Sequence, residues 1–410
     1  MITDKTMENS IWNSVNNYLI EARPDERGWE GTFESLKSMI FKSVEEDERE
    51  IQQKVKYFEK SIEDLKNRFS SNLSNFQEIN MEIWLGQNFE KFGAWEKALS
   101  YYEKALNLCD DDSQDTLKSM TILNMGHIHM MRNNWDEALV SYQESLKLCQ
   151  RNGDQTGEAK AYNGIGIIYF EQGAFAESSG YWEKGLELAE QLNESKLNAK
   201  LCTNLGALMS TQGNWEKALG YHNKAATLFE QIGDHRGLAE TYHNMGMTYA
   251  DMDRLPDSNT YYEKSFDIAK GIGDVRLQAL VKLNRVELYM AINDTYAGLA
   301  FSNQALQTFL QLSDHLGEAE TYKFLGALYT RLKKWDLASP YFDQSIFLAN
   351  KYKNPLLEAE AHLEYGLMHK QKDDKEFAAT HLNEALTIFE NLKAENDIVR
   401  VKELLSSIKP

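Results

Sequence analysis

At 410 residues, 42% of them hydrophobic, the chain is long enough for two or three ordinary domains. Its formal charge of −19 repels phosphate backbones. That excludes nucleic acid as an expected direct ligand and favours basic or neutral protein segments, unless the charge serves only to keep an extended protein soluble. Cys109, Cys149 and Cys202 lack a C-x-x-C spacing, and their odd number argues against a disulfide frame or a zinc site. The polar opening MITDKTMENS and the lack of any apolar run of about 18 residues argue against a signal core or a membrane span, so the expected compartment is the cytoplasm.

The first expected element is a short helix over residues 5–21, ended near Pro24. The second spans 45–70. There Ile51, Val55, Phe58, Ile62, Leu65 and Phe69 recur at alternating spacings of four and three, after the acidic run Glu45–Glu48. This heptad seam either packs on the element that follows or pairs with a second copy of the chain. Residues 1–79 are therefore read as an N-terminal helical region.

From residue 80 a glycine recurs every 40 residues: Gly86, Gly126, Gly166, Gly206, Gly246, Gly326 and Gly366, with one step missed at Val286. Seven residues after each stand Gly93, Asn133, Gly173, Gly213, Asp253, Asn293, Lys333 and Asp373. All but the lysine are types that tolerate a left-handed backbone, so a helix ends there. Twelve residues after the glycine the side chain is small in every unit (Ala98, Ala138, Ser178, Ala218, Ser258, Gly298, Ala338, Ala378). Four further on it is mostly bulky (Tyr102, Tyr142, Trp182, His222, Tyr262, Ser302, Phe342, Leu382). Small beside large on one helical face is how two helices interlock, so each unit is a hairpin of helix A and helix B. Gly153-Asp154, Gly233-Asp234, Gly273-Asp274 and the weaker Ser313-Asp314 close helix B and cap the next helix A. The sixth unit departs from the pattern at Val286, Gly298 and Ser302, which marks either drift or a hinge. Residues 393–410 place Ile398, Val401, Leu405 and Ile408 on one face of a final helix, expected to cap the last hairpin.

Trp84-Leu85-Gly86 with Phe89, Ala98, Tyr102 and Ala105 resembles the tetratricopeptide repeat (TPR) family, as do Leu205-Gly206 with Ala218 and Ala225, and Leu325-Gly326 with Tyr329, Ala338 and Phe342. The resemblance covers residues 80–392. Units of 40 residues, closed by Gly-Asp instead of proline, resemble the longer repeats of Pins-type polarity adaptors and of bacterial TPR signalling proteins. What this implies is an all-α, right-handed superhelical solenoid of about eight hairpins whose A helices line a concave groove.

No nucleophile elbow, phosphate loop or metal-ligand spacing is present, so neither enzyme activity nor a cofactor or metal is expected. His127 and His129 are two apart on one helix and point to different faces; His129 and His222 take packing positions. By register with the family, the groove carries Asn124, Asn204, Asn244 and Asn284 two residues before the glycine, with Asn163 one residue out of step. An amide both donates and accepts, so a row of them grips an extended backbone, or each bonds its neighbour across the stack. His127, Met130 and Met247 add adaptable contacts, Lys160 and Lys200 add positive charge, and the last two units add acid. Ile167 stands where a two-carboxylate clamp needs asparagine, which argues against chaperone-tail binding. The expected function is a non-catalytic adaptor for a protein or peptide segment. The alternatives are a peptide-controlled regulator with residues 1–79 as output module, or an accessory subunit of an enzyme encoded elsewhere.

Overall fold

The structure, a computed structural model, describes residues 58–62, 73–91, 93–109, 114–132, 134–312, 314–392 and 394–408. The expected helix at 5–21, most of the seam at 45–70 and the turn residues Asn133 and Ser313 lie outside the described residues. Among the described residues there is no strand. From residue 75 onward, helices follow one another as A–B pairs. The first four pairs are α1 (Asn75–Lys91) with α2 (Trp95–Asn107), α3 (Asp115–Met131) with α4 (Trp135–Asn152), α5 (Gln155–Glu171) with α6 (Phe175–Gln191), and α7 (Ser195–Thr211) with α8 (Trp215–Ile232). The next four are α9 (His235–Asp251) with α10 (Leu255–Gly271), α11 (Val275–Ala291) with α12 (Thr295–Gln311), α13 (His315–Arg331) with α14 (Trp335–Lys351), and α15 (Pro355–Gln371) with α16 (Lys375–Leu392). A last helix, α17 (Glu395–Ile408), follows. No helix among the described residues is long and apolar enough to cross a membrane.

The turn chemistry follows the sequence closely. Every described residue seven after the register glycine is left-handed: Gly93, Gly173, Gly213, Asp253, Asn293, Lys333 and Asp373 have φ between 57° and 74°. Lys333 takes this conformation although its Cβ crowds the backbone there. Lys333→Gly should therefore raise stability by about 0.5–1 kcal/mol, read by chemical denaturation, whereas the same change at exposed helical Lys217 should lower it. At the other turns the aspartates cap as expected. Asp154 Oδ1 accepts from the Gly157 amide at 2.9 Å, Asp234 from Gly237 at 3.0 Å, Asp274 from Leu277 at 3.0 Å and Asp314 from Gly317 at 3.1 Å.

The register glycines face the bulky B-helix residues. A Cβ at Gly86 would lie 2.4 Å from the Tyr102 ring, one at Gly246 2.5 Å from Tyr262, and one at Gly326 2.7 Å from Phe342. The sixth pair instead sets a bulky A-helix residue near a glycine of the B helix. Val286 on α11 is fully buried, and its Cγ1 lies 3.6 Å from the place a Cβ would take at Gly298 on α12. Leu328 of α13 comes closer still, its Cδ2 2.8 Å from that Cβ position, so a neighbouring A helix helps fill the space over Gly298. The residual cost of the pair is Ser302, whose buried hydroxyl has no hydrogen-bond partner among the described residues.

The chain divides into two compact units, Met1–Ala161 and Tyr162–Pro410, with the boundary inside α5. In the first, Phe58 and Ile62 of the heptad seam are fully buried in a core with Phe89, Tyr102 and Ile128. Phe58 meets Phe89 at 5.7 Å between ring centroids, so these two seam positions are spent on the chain's own first hairpin. In the second unit α17 buries Ile398, Val401 and Ile408 against Leu382 and Phe389 of α16. That covers an apolar face a last hairpin would otherwise expose.

Candidate functional site

The A helices of the second unit build a trough of about 590 Å³. Positions two before, one after, four after and six before the register glycine all contribute: Asn284, Phe324 and Glu364; Met247, Glu287 and Ala327; Met290; Glu320 and Glu360. The α17 helix adds Asp397 and Arg400 from its trough side. Six carboxylates line the trough (Asp251, Glu287, Glu320, Glu360, Glu364, Asp397) against three cations (Lys323, Arg331, Arg400).

Concavity sets the electrostatics. The Glu287 side chain reaches solvent, but protein surrounds it on several sides. Loss of hydration pushes its carboxyl up to about 7; Lys323 opposes this, while Asp251, Glu320 and Glu360 reinforce it. Glu320 and Glu364 are raised too, chiefly by desolvation. Burial by itself would depress the Lys323 ammonium. Glu360 and then Glu320 outweigh it and hold the group above the usual lysine range, with an ion pair to Glu360. Arg331 is turned aside to the Met290 carbonyl at 2.6 Å. The trough thus carries more negative charge than it neutralises, and its carboxylates would gain by meeting a cation.

Models of the tetratricopeptide repeat match residues 85–116, 118–191 and 197–271. Over these residues the chain carries tetratricopeptide repeats. A curated relative, regulatory protein RapG of Bacillus subtilis (strain 168), is 26% identical over 101 residues, 24% of this chain and 28% of that protein. This chain therefore spans under a third of that relative's length. A Rap protein solved with competence and sporulation factor superposes with a TM-score of 0.61 at 12% identity, covering 98% of this chain and 99% of that one. The Rap conjugation gene regulator of plasmid pLS20, solved with the Phr* peptide, gives 0.56 at 15% identity, covering 84% and 95%. At such identities the likeness speaks to the fold.

Within these repeats the expected site residues fall into three groups. Met247 and Asn284 line the trough. Asn284 Nδ2 also lies 2.9 Å from His243 Nε2, which accepts when the neutral ring carries its proton on Nδ1, and desolvation pushes His243 down to about 4. Asn204 Nδ2 donates to Asn163 Oδ1 at 2.9 Å, so two of the amides meet across neighbouring A helices. Asn244 is half-buried beside His243, and Lys200 is exposed outside the trough lining. In the first unit, Glu90 takes the Tyr102 hydroxyl at 2.8 Å and stands 2.7 Å from His127 Nδ1. Asn124 Nδ2 is buried without a hydrogen-bond partner among the described residues, Met130 is half-buried and Lys160 is exposed. Among the described residues no group of three or more His, Cys, Asp or Glu could hold a metal ion.

Glu320, Glu360 and Glu364 are the acid expected of the last two units, whereas Lys323, Asp397 and Arg400 were not legible in the repeat register. Lys323 lies three residues before Gly326, a position that is apolar in four other units (Ile83, Leu123, Leu283, Leu363) and carries a cation in no other unit. Asp397 and Arg400 belong to α17, which stands outside the repeat and is brought to the trough by docking on α16.

Proposed function

We propose that the chain is a non-catalytic adaptor whose second unit binds a short peptide segment bearing basic residues, extended along the trough. The surplus of trough carboxylates, several of them poorly hydrated, carries this reading. Met247 and Met290 offer adaptable apolar contacts beside them. The Asn163–Asn204 pair leaves one carbonyl and one amide N–H pair unspent, enough to take a peptide bond from either side. The overall charge of −19 steers the same partner by long-range attraction.

The test uses two fluorescent nonapeptide pools, one with Lys or Arg at alternate positions and one with Asp or Glu. The basic pool should bind at least tenfold tighter by anisotropy, with affinity falling as salt rises. Glu320→Gln combined with Glu364→Gln should weaken it by roughly tenfold or more. Binding should also strengthen from pH 6 to pH 8, because Glu287 completes its ionisation across about 7 and a bound cation favours the charged form. Equal binding of the two pools would end the proposal.

The relatives solved with a Phr* peptide and with competence and sporulation factor favour a second reading, in which the occupant of the trough is itself a signal and residues 1–79 respond to it. Hydrogen exchange on the full chain separates the two. An adaptor gains protection only in the second unit when the basic pool saturates it, whereas a regulator also changes exchange within residues 1–79.

A further inference from the structure

A second hollow of the Tyr162–Pro410 unit lies outside the trough lining except at one residue. It is a cavity of about 360 Å³ formed where the turn between α5 and α6 meets the end of α16 and the start of α17. The approach is close: a Cβ at Gly173 would stand 1.8 Å from the Leu392 carbonyl oxygen, so only glycine admits this contact. Its walls include Phe170, Phe175, Leu356 and Leu392. Phe170 is held by two aromatic neighbours, Phe175 and Trp182, each at 5.6 Å between centroids. Two carboxylates, Glu171 and Asp397, complete the lining. Desolvation raises both; Asp397 has Arg400 opposing the shift, whereas Glu171 has no ion pair among the described residues. Asp397 also lines the trough, so the two hollows share a wall residue.

Size and chemistry together select the occupant. A dry cavity of about 150 Å³ accepts a benzene ring, so this one has room for a fused bicycle or a large side chain. Apolar walls take the flat group, and the two lining carboxylates take a cation a few bonds away. We propose that this cavity is a separate ligand site for an aromatic or large alkyl group carrying an ammonium or guanidinium. Two sources share that chemistry: a free amine, or an apolar residue beside a basic one on a peptide already in the trough. The site stands on its own lining and does not require the trough to bind.

The probe is tryptamine, with indole-3-acetate as a matched ring of opposite charge, followed by ligand-observed NMR on the full chain. Tryptamine should bind saturably and at least tenfold tighter than indole-3-acetate. Thr211→Trp and Leu356→Trp should each abolish that binding; both lining positions are solvent-exposed, so an unchanged melting curve confirms folding. Glu171→Gln should weaken tryptamine threefold or more while leaving the indole ring's binding in place. Competition by the basic nonapeptide pool assigns the site to a peptide residue, and lack of competition assigns it to a free amine. Indole-3-acetate binding as well as tryptamine, or tryptamine binding that survives both tryptophan substitutions, overturns the proposal. Failure of the basic pool with tryptamine still bound overturns the trough reading alone.

Discussion

Gly166→Leu should cost about 3 kcal/mol or more of stability, while Gly220→Ala should gain about 0.5–1 kcal/mol. Gly166 is buried on α5 and Gly220 is exposed on α8, and what faces each decides the sign. A Cβ at Gly166 would lie 2.5 Å from Cδ1 and Nε1 of Trp182, a buried ring that cannot swing away as a flexible side-chain end could. Moving it also threatens the bond from Trp182 Nε1 to the Asn163 carbonyl at 3.2 Å, next to the Asn163–Asn204 amide pair. Around Gly220 there is nothing within 4 Å, so a methyl group there only removes backbone freedom from the unfolded chain. Urea unfolding of the two variants against the parent measures both effects. Equal stability of the parent and Gly166→Leu would mean that α5 and α6 do not pack as described.

The second large effect is a pH dependence centred on His222. This side chain is fully buried over Gly206, and neither ring nitrogen has a hydrogen-bond partner among the described residues. Burial disfavours the charged ring and pushes its pKa from 6.5 to about 4. The unfolded chain therefore binds a proton at pH 5 that the folded chain refuses. The stabilisation is fully present above pH 6.5 and is lost as pH falls toward 4, in total about 3 kcal/mol. His243 and His381, also pushed down to about 4, lean the same way. His222→Phe should remove one proton from the transition, flattening the fall in stability between pH 6.5 and 4.5. It should also add about 1–3 kcal/mol at pH 7 by eliminating two unpaired buried nitrogens. The register position accepts phenylalanine in the seventh unit, at Phe342. An unchanged pH profile would show that His222 is not the group being titrated.

The hairpin plan was legible because its determinants are local. A glycine opposite an aromatic, a left-handed residue seven later and an aspartate at the next cap each act within one turn or one hairpin, and 40-residue spacing repeats the instruction. The A-helix face of the trough was legible for the same reason, since helical spacing carries a groove position from unit to unit. Pairings between units were not. Asn204 was readable as a groove amide, but its bond to Asn163 depends on the offset between neighbouring helices, which no single unit encodes. Lys323 was not legible because its register position is apolar in four other units, and its setting among Glu287, Glu320 and Glu360 draws on three different A helices.

The sequence by itself determined that the described residues are helical without strands, that their helices come in A–B pairs, where those pairs turn, and which face of the trough's A helices carries polar chemistry. Tertiary structure alone decided that α17 delivers Asp397 and Arg400 into the trough, and that Gly173 meets Leu392 to enclose an apolar cavity. Such contacts arise from small rotations summed over successive hairpins. No residue specifies that sum, because side-chain packing at every interface along the way contributes to it.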